Sequence, residues 1–347
     1  MSMQDSDLRI IISETKPNNN EQWNKLAEQC SNIWQATFYD EAQLFFNNRS
    51  VYFECYADEV LIGGVKIYFY ESKKLPAIIR SISKRGTQVS EAIFDQSKNS
   101  VFDVFLFLLT DEIKKWLNKK KTASFYETSF YGEPEKLISL NENKKTREKK
   151  IGIAKIDLTK NTEELWKNIN SKHRSEVIKA EKNKVTIEFG DNLDSFFLLL
   201  DETYKNQSAH APNKNYLRKE YELLKANNSA QLVFAKHNEK YLSAALLYNY
   251  GSVSLYSFGG NSKNSIGSGQ FLQWEIMKYL KQKNYQSYFL GETSFEKNDA
   301  NLKFTQGITK FKLRFGAAQI PTFHKEYALY PMKLKIWKLL QKIIIRK

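Results

Sequence analysis

The sequence is poor in the residues that build metal clusters and disulfide frameworks. It contains two cysteines, Cys30 and Cys55, and four histidines that lie far apart along the chain. No metal-ligand spacing such as H-x-x-x-H is present, so neither a metal site nor a set of disulfides is predicted. Because so few cysteines suit a reducing compartment, we expect a cytoplasmic protein.

Long apolar runs are also missing. The first residues are polar, and Leu8–Ile12 is shorter than the apolar region of a signal peptide. The most apolar stretch, Val101–Leu109, is about half as long as a membrane span and contains Asp103. This stretch therefore predicts a helix in a protein core.

Acidic residues are fewer than basic residues in this chain. The chain has 53 Lys and Arg residues against 39 Asp and Glu residues, which gives a formal net charge of +14. A basic excess permits anionic partners such as nucleotides, coenzyme A, tRNA or an anionic membrane surface. A surface that is generally rich in lysine explains the same excess, so the charge alone selects no partner.

The length of 347 residues is sufficient for two domains with separate cores. Residues 136–150 are charged and poor in apolar side chains, which predicts a linker and a boundary near residue 150. The predicted domains are therefore 1–150 and 151–330, followed by a basic amphipathic helix at 331–347. That helix suits an anionic membrane surface or docking on the protein itself, and we favour docking.

The two halves repeat one order of elements. Each has three successive strands, a helix and a final strand: 51–57, 60–70, 77–82, 101–117 and 123–127 in the first half, and 231–236, 241–250, 252–259, 269–283 and 287–290 in the second. This order describes a β-meander followed by a β-α-β crossover. We therefore predict two tandem copies of one module, although hairpins followed by helices are common.

The second copy contains a candidate anion site. A strand at 252–259 ends in two glycines, and a polar loop leads from it into a helix. Glycines let a phosphate approach the backbone, and a helix N-terminus offers unpaired N–H groups and a partial positive charge. The spacing Asn264-x-x-Gly267-x-Gly269 is neither a dinucleotide fingerprint nor a P-loop. An ordinary glycine turn has the same composition.

This spacing resembles the pyrophosphate loop of the GCN5-related N-acetyltransferases, usually Gln/Arg-x-x-Gly-x-Gly/Ala, with Asn264 in the first position. Other stretches resemble the FemAB-like peptidoglycan-bridge transferases of the same superfamily. They are the basic segment 172–185, the segment 268–291, and Phe311-Lys312-Leu313-Arg314-Phe315-Gly316, which matches the signature F-K-x-x-F-G. The resemblance in sequence covers residues 151–328. The first half resembles the family only in the order of its strands and helices.

The resemblance implies an α+β fold with two tandem acetyltransferase-like domains, each a mixed, mostly antiparallel sheet flanked by helices. It also implies acyl transfer to an amine. Some members use aminoacyl-tRNA to extend peptidoglycan peptides, and others use acyl-coenzyme A, in some cases to acylate nucleotide-linked amino sugars. Because the loop at 264–269 favours coenzyme A, we expect acyl-coenzyme A and a nucleotide-linked amino sugar of O-antigen, capsule or lipopolysaccharide biosynthesis as substrates.

Two alternatives remain open. One is an aminoacyl-tRNA-dependent transferase of FemAB type, and the other is a basic nucleic-acid-binding protein without enzymatic activity. Nucleic acid is expected as a partner only in these two cases. A homodimer and a peripheral membrane contact also remain open.

The resemblance also implies roles for particular residues. Backbone amides near Ser257 and Phe258 would stabilise an oxyanion and hold the pantetheine arm of coenzyme A where the strand at 252–259 separates from the strand at 287–290. The residues expected at the pyrophosphate of coenzyme A are Asn264, Ser265, Ile266, Gly267, Ser268 and Gly269.

Catalytic and acceptor-binding candidates complete the predicted site. Lys312 would bind a substrate phosphate or the oxyanion, while Glu292 and His210 are candidates for the general base. The residues expected to bind the acceptor are Lys172, Arg174 and Tyr256. Each of these side chains has an ordinary structural alternative, and the amine can lose its proton to water instead.

Overall fold

The protein is described by a computed structural model that covers residues 8–77, 79–138, 140, 143, 145–207, 209–263, 265–295 and 302–345. The chain forms two compact units. Unit 1 contains Met1–Lys150 and Thr322–Lys347, and unit 2 contains Ile151–Pro321. The predicted domains had placed 322–330 in the second domain and 331–347 in a separate helix, whereas both segments belong to unit 1.

The strands and helices are numbered along the chain. The strands are β1 (Leu8–Glu14), β2 (Asn48–Ala57), β3 (Val60–Tyr70), β4 (Arg85–Gln88), β5 (Ile93–Phe94), β6 (Ser124–Thr128), β7 (Lys145–Asp157), β8 (Thr186–Gly190), β9 (Ala230–His237), β10 (Lys240–Tyr250), β11 (Val253–Asn261), β12 (Ser287–Thr293) and β13 (Ala318–Ala328). The α-helices are α1 (Asn20–Gln29), α2 (Asp40–Leu44), α3 (Phe102–Lys119), α4 (Thr162–Asn168), α5 (Ser171–Lys182), α6 (Leu193–Asn206), α7 (Lys214–Ala226), α8 (Ser268–Gln282), α9 (Leu302–Leu313) and α10 (Pro331–Ile345).

The two units have the same strand order. It is β1-β2-β3-β4-β6-β13 in unit 1 and β8-β9-β10-β11-β12-β7 in unit 2. In each unit one neighbouring pair is parallel, β4 with β6 and β11 with β12, and a helix, α3 or α8, connects its two strands. The predicted module, a meander followed by a crossover, is therefore present in both units.

A crossover helix covers the apolar face of the sheet in each unit. On α3 the buried side chains recur four residues apart, at Phe105, Leu109 and Ile113. On α8 they recur in the same way, at Leu272, Ile276 and Leu280. Fully burying each such side chain contributes about 1.5–3 kcal/mol, so these stripes fix the helices on their sheets.

Two sequence predictions in unit 1 were wrong. Residues 80–83 form a 3-10 helix instead of a strand, and the third strand of the meander begins at Arg85. Residues 145–150, predicted as part of a linker, begin β7. Most side chains of 145–150 are exposed, so this part of β7 depends on the pairing of its backbone. Because no alternation of buried side chains is present there, nothing in the sequence indicated a strand.

Within the described part of the chain, none of the helices combines the length and the apolar composition that crossing a membrane requires.

Candidate functional site

Strands β11 and β12 pair over only a short distance. Their parallel ladder joins residues 253–255 to residues 287–289 and then stops, although both strands continue. Beyond that point β11 stays paired with β10, and β12 stays paired with β7. Residues 256–259 are half-exposed, whereas Ser254 and Leu255 before them are buried. A gap therefore opens between the two strands, and we call it the unit 2 gap.

Both strands have an extra residue at the unit 2 gap. The pairing of β11 with β10 skips Ser257, and the pairing of β12 with β7 skips Leu290. The next residue on β12, Gly291, has a φ of +83°, which glycine adopts without strain. Such bulges bend a strand and redirect its backbone groups. The amides near Ser257 and Phe258, predicted as oxyanion donors, lie at the β11 bulge.

A buried hydrogen-bond network lies behind the β11 bulge. Burial raises the pKa of the Tyr248 hydroxyl, and the nearby Ser257 side chain opposes that effect. Tyr248 donates to the Glu220 carboxylate at 2.7 Å, and Tyr216 donates to its other oxygen, also at 2.7 Å. The sequence analysis missed Glu220, although a glutamate on the apolar face of a helix was a signal, since its neighbours on that face are Leu217, Tyr221 and Leu224.

Lys312 places an amine beside the unit 2 gap. Its Nζ donates to the backbone carbonyl of Glu292 at 2.8 Å. A Cβ built on Gly291 would lie 3.3 Å from this Nζ and 3.8 Å from the carbonyl oxygen of Tyr256, so the amine is close to both strands. Burial lowers the pKa of Lys312 to about 8, and the nearby Glu292 carboxylate opposes that effect. The amine therefore remains mostly protonated at neutral pH and can donate to an anion.

The F-K-x-x-F-G signature explains how Lys312 reaches this position. Phe315 is 1% exposed and packs against the ring of His173, with 4.6 Å between ring centroids. Phe311 packs against both rings. Gly316 follows α9 with a φ of +80°, and a Cβ there would lie 2.7 Å from the Cβ of Asn168. Only glycine fits this end of the helix, so α9 is anchored and presents Lys312 to the gap.

Carboxylates of the protein lie at the loop that precedes α8. The Lys263 amide donates to the carboxylate of Glu202 at 2.7 Å. A Cβ on Gly267 would lie 2.2 Å from the carbonyl oxygen of Glu176 and 3.2 Å from its carboxylate. The N-terminal turn of α8 is therefore close to a negative side chain. Asn264, predicted to bind the pyrophosphate, lies outside the described residues.

Several other loop groups are used within the protein. The Ser268 hydroxyl is buried 2.5 Å from the Ser243 hydroxyl, and the Ser268 amide donates to the Ser265 carbonyl at 2.7 Å. Ile266 packs against the apolar core of unit 2, and Gly269 lies against the side chain of Asn261. The Ser268 hydroxyl is thus paired within the protein, and the predicted role of residues 265–269 at a pyrophosphate stays a prediction. The Glu176 carboxylate at this turn, which pairs with Lys179 at 3.7 Å, would oppose the binding of a pyrophosphate there.

The two predicted bases lie in different surroundings. The Glu292 side chain is exposed on β12 and is close enough to Lys312 to influence its pKa. His210 is exposed in the connection between α6 and α7, and no contact with Lys312 or Glu292 is found among the described residues. The same residues contain no group of three His, Cys, Asp or Glu side chains that could hold a metal ion.

The predicted acceptor-binding residues lie on two elements, Lys172 and Arg174 on α5 and Tyr256 on β11. Nη1 of Arg174 donates to the carbonyls of Lys167 and Ile169 and so caps the end of α4. Lys172 is exposed on α5. The Tyr256 hydroxyl lies over Gly259, where an added Cβ would overlap it. Of these residues, Tyr256 borders the unit 2 gap.

Comparison with known proteins finds solved structures with a similar fold. No protein-family model and no curated protein matches the sequence. The structure of FemX matches with a TM-score of 0.70 at 15% identity, over 95% of this chain and 99% of that chain. The C-terminal domain of a putative lysylphosphatidylglycerol synthetase from Agrobacterium fabrum matches with a TM-score of 0.55 at 12% identity, over 88% and 91% of the two chains. A tandem GNAT protein from the clavulanic acid biosynthesis pathway matches with a TM-score of 0.51 at 9% identity, over 93% and 99%.

These likenesses confirm the predicted fold. The chain shares the fold of FemX and of the tandem GNAT protein, with a mostly antiparallel sheet and flanking helices in each unit. At such low identity, the match shows the fold alone. Activity must therefore be argued from the side chains of unit 2.

Proposed function

We propose that this protein is an aminoacyltransferase of FemAB type, which moves an aminoacyl group from aminoacyl-tRNA to an amine of a peptidoglycan precursor. The observation that carries the proposal is the unit 2 gap, where the Lys312 amine lies beside an accessible strand edge. The fold shared with FemX and with the lysylphosphatidylglycerol synthetase domain supports acyl or aminoacyl transfer. It gives no support for acylation of an amino sugar in O-antigen biosynthesis.

The reaction exchanges an ester bond for an amide bond. The acceptor amine attacks the ester carbonyl carbon, whose oxygen becomes an oxyanion. When this intermediate collapses, the bond to the ribose oxygen breaks, and the ribose oxygen takes up a proton that the amine loses. The Lys312 ammonium and the amides near Ser257 and Phe258 stabilise the oxyanion, and the exposed Glu292 carboxylate can accept the proton from the amine.

The proposal of aminoacyl-tRNA as the donor is supported by the loop before α8. In the coenzyme A alternative its amides would hold a pyrophosphate, but the carboxylates of Glu176 and Glu202 lie at this loop. Negative charge at a helix N-terminus competes with a bound phosphate. The formal net charge of +14 suits a polyanion such as tRNA, which many separate lysines can contact at once. Both observations favour aminoacyl-tRNA as the donor.

A binding comparison tests this proposal. We expect the full chain to bind tRNA with an affinity that falls steeply as the salt concentration rises, and to show no saturable binding of coenzyme A. Transfer of a radiolabelled amino acid from charged tRNA to a peptidoglycan precursor peptide then measures activity. Binding of coenzyme A without binding of tRNA, with thiol release from acyl-coenzyme A and a nucleotide-linked amino sugar, would replace this proposal by the coenzyme A-dependent alternative.

The effect of Glu176 on donor choice can be measured separately. Substituting Glu176→Gln removes the negative charge beside Gly267, so saturable binding of coenzyme A, which the unaltered chain should lack, should appear in this variant, while tRNA binding should change little. Isothermal titration with coenzyme A measures the change. Glu181→Gln, an exposed charge removed from the same helix, is the matched control. If the two variants bind coenzyme A equally, Glu176 has no influence on the donor.

A further inference from the structure

Helix α10 is docked on unit 1 through one of its faces. Leu334 and Trp337 are buried, and the helix packs against the 3-10 helix at residues 80–83. At its N-terminal end the Tyr330 amide donates to the Ala123 carbonyl at 3.1 Å, and Nζ of Lys333 donates to the Lys121 carbonyl at 3.2 Å. The inner face of α10 is therefore fixed to the protein, and its orientation is defined.

The outer face of α10 exposes an apolar stripe. Met332, Ile336 and Leu339 are 71%, 45% and 61% exposed. Their spacing of four and three residues places them in one row along the helix. Single exposed apolar residues are common on protein surfaces, but a row of three opposite a docked face indicates a surface that meets an apolar phase.

Positive charge accompanies this stripe. The segment Pro331–Ile345 contains Lys333, Lys335, Lys338 and Lys342 and no acidic residue. Lys338 pairs with Glu326 at 2.8 Å, while Lys335 and Lys342 are exposed. Burial, together with the nearby ammonium groups of Lys121 and Lys84, lowers the pKa of Lys333. Positive charges from α10 and from the surface beneath it are therefore concentrated in one region of unit 1.

We infer that the outer face of α10 binds the surface of an anionic phospholipid membrane. The apolar stripe enters the boundary between headgroups and acyl chains, and the exposed lysines contact lipid phosphates. A second copy of this chain is a less suitable occupant, because a two-fold contact would bring the two sets of lysines together. RNA would use the lysines but leave Met332, Ile336 and Leu339 without a function.

Vesicle sedimentation tests this inference on the full chain. The vesicles contain equal parts phosphatidylcholine and phosphatidylglycerol, and vesicles of pure phosphatidylcholine are the lipid control. Replacing Met332, Ile336 and Leu339 together by glutamine should weaken binding to the anionic vesicles about tenfold or more, because three apolar side chains no longer enter the lipid. The three positions are exposed, so circular dichroism and the melting temperature should be unchanged.

A matched variant controls for the general loss of apolar surface. Val60, Phe107 and Leu198 are 57%, 70% and 70% exposed on other elements, and their joint replacement by glutamine should leave vesicle binding unchanged. The inference is overturned if the chain does not bind anionic vesicles, or if both triple variants bind them as the unaltered protein does. It is also overturned if the α10 variant loses self-association or tRNA binding while vesicle binding is unaffected.

Discussion

Substituting Lys312→Met should lower the rate constant of aminoacyl transfer about a hundredfold to a thousandfold, the usual effect of removing one donor to an oxyanion. The Lys312 amine is the charged group that the anchored end of α9 brings to the unit 2 gap. Methionine keeps the length and apolar character of the side chain, so the packing around it should be preserved. Initial rates with charged tRNA and a saturating peptide acceptor measure the effect.

Lys310→Met is the matched control for this substitution. Lys310 is exposed on the same helix, two residues before Lys312, and its loss removes the same charge from the protein. We expect the control to keep nearly the full rate. If both variants keep nearly the full rate, Lys312 has no part in the reaction. If both lose the rate to the same extent, the cause is a general effect of charge on tRNA binding.

The lowered pKa of Lys312 adds a dependence on pH. Because this pKa is about 8, the amine is charged below that pH and loses its charge above it. We therefore expect the rate to rise as the acceptor amine loses its proton and then to fall above a pH of about 8. The falling part should be absent in Lys312→Met. If it persists in that variant, another group is responsible for it.

The sequence was sufficient to predict the features of unit 2 that depend on short stretches. The alternation and the glycines after Val253 predicted a strand, and the resemblance implied its separation from the strand at 287–290. The resemblance at 311–316 pointed to Lys312, whose amine lies beside the unit 2 gap. Both depend on local geometry: a strand that ends its pairing, and a helix end that only glycine fits.

Groups that meet through tertiary contacts were not predictable in this way. Glu176 and Glu202 lie on α5 and α6, far in sequence from the loop whose charge they change. The positions of Glu176 and Glu202 in the sequence show no pattern relative to Gly267, so nothing in the sequence indicated that carboxylates lie at this loop. The support that Glu220 gives to the bulge depends in the same way on the packing of α7 against the sheet.

The parallel strand pair of unit 1 ends in a different way from that of unit 2. The ladder of β4 and β6 stops at Gln88 and Glu127, and the side chain of Glu91 lies immediately beyond it. The carboxylate accepts hydrogen bonds from the Ser129 hydroxyl and from the backbone amides of Phe130, Tyr131 and Glu133, at 2.5–3.3 Å. Burial raises the pKa of Glu91, and these donors oppose that effect. In unit 1 a buried carboxylate and its donors therefore occupy the position immediately beyond the end of the parallel ladder.

Substituting Glu91→Ala should therefore destabilise unit 1 strongly. Removal of the carboxylate leaves a hydroxyl and three backbone amides without their acceptor in a buried position, which should lower the free energy of unfolding by about 3–5 kcal/mol. Chemical denaturation followed by circular dichroism measures the change. Glu91→Gln keeps one acceptor oxygen and should cost less, while Glu135→Ala, at an exposed position nearby in sequence, should cost almost nothing. A loss below about 1 kcal/mol in Glu91→Ala would mean that water replaces the carboxylate, and that this end of unit 1 is as accessible as the gap in unit 2.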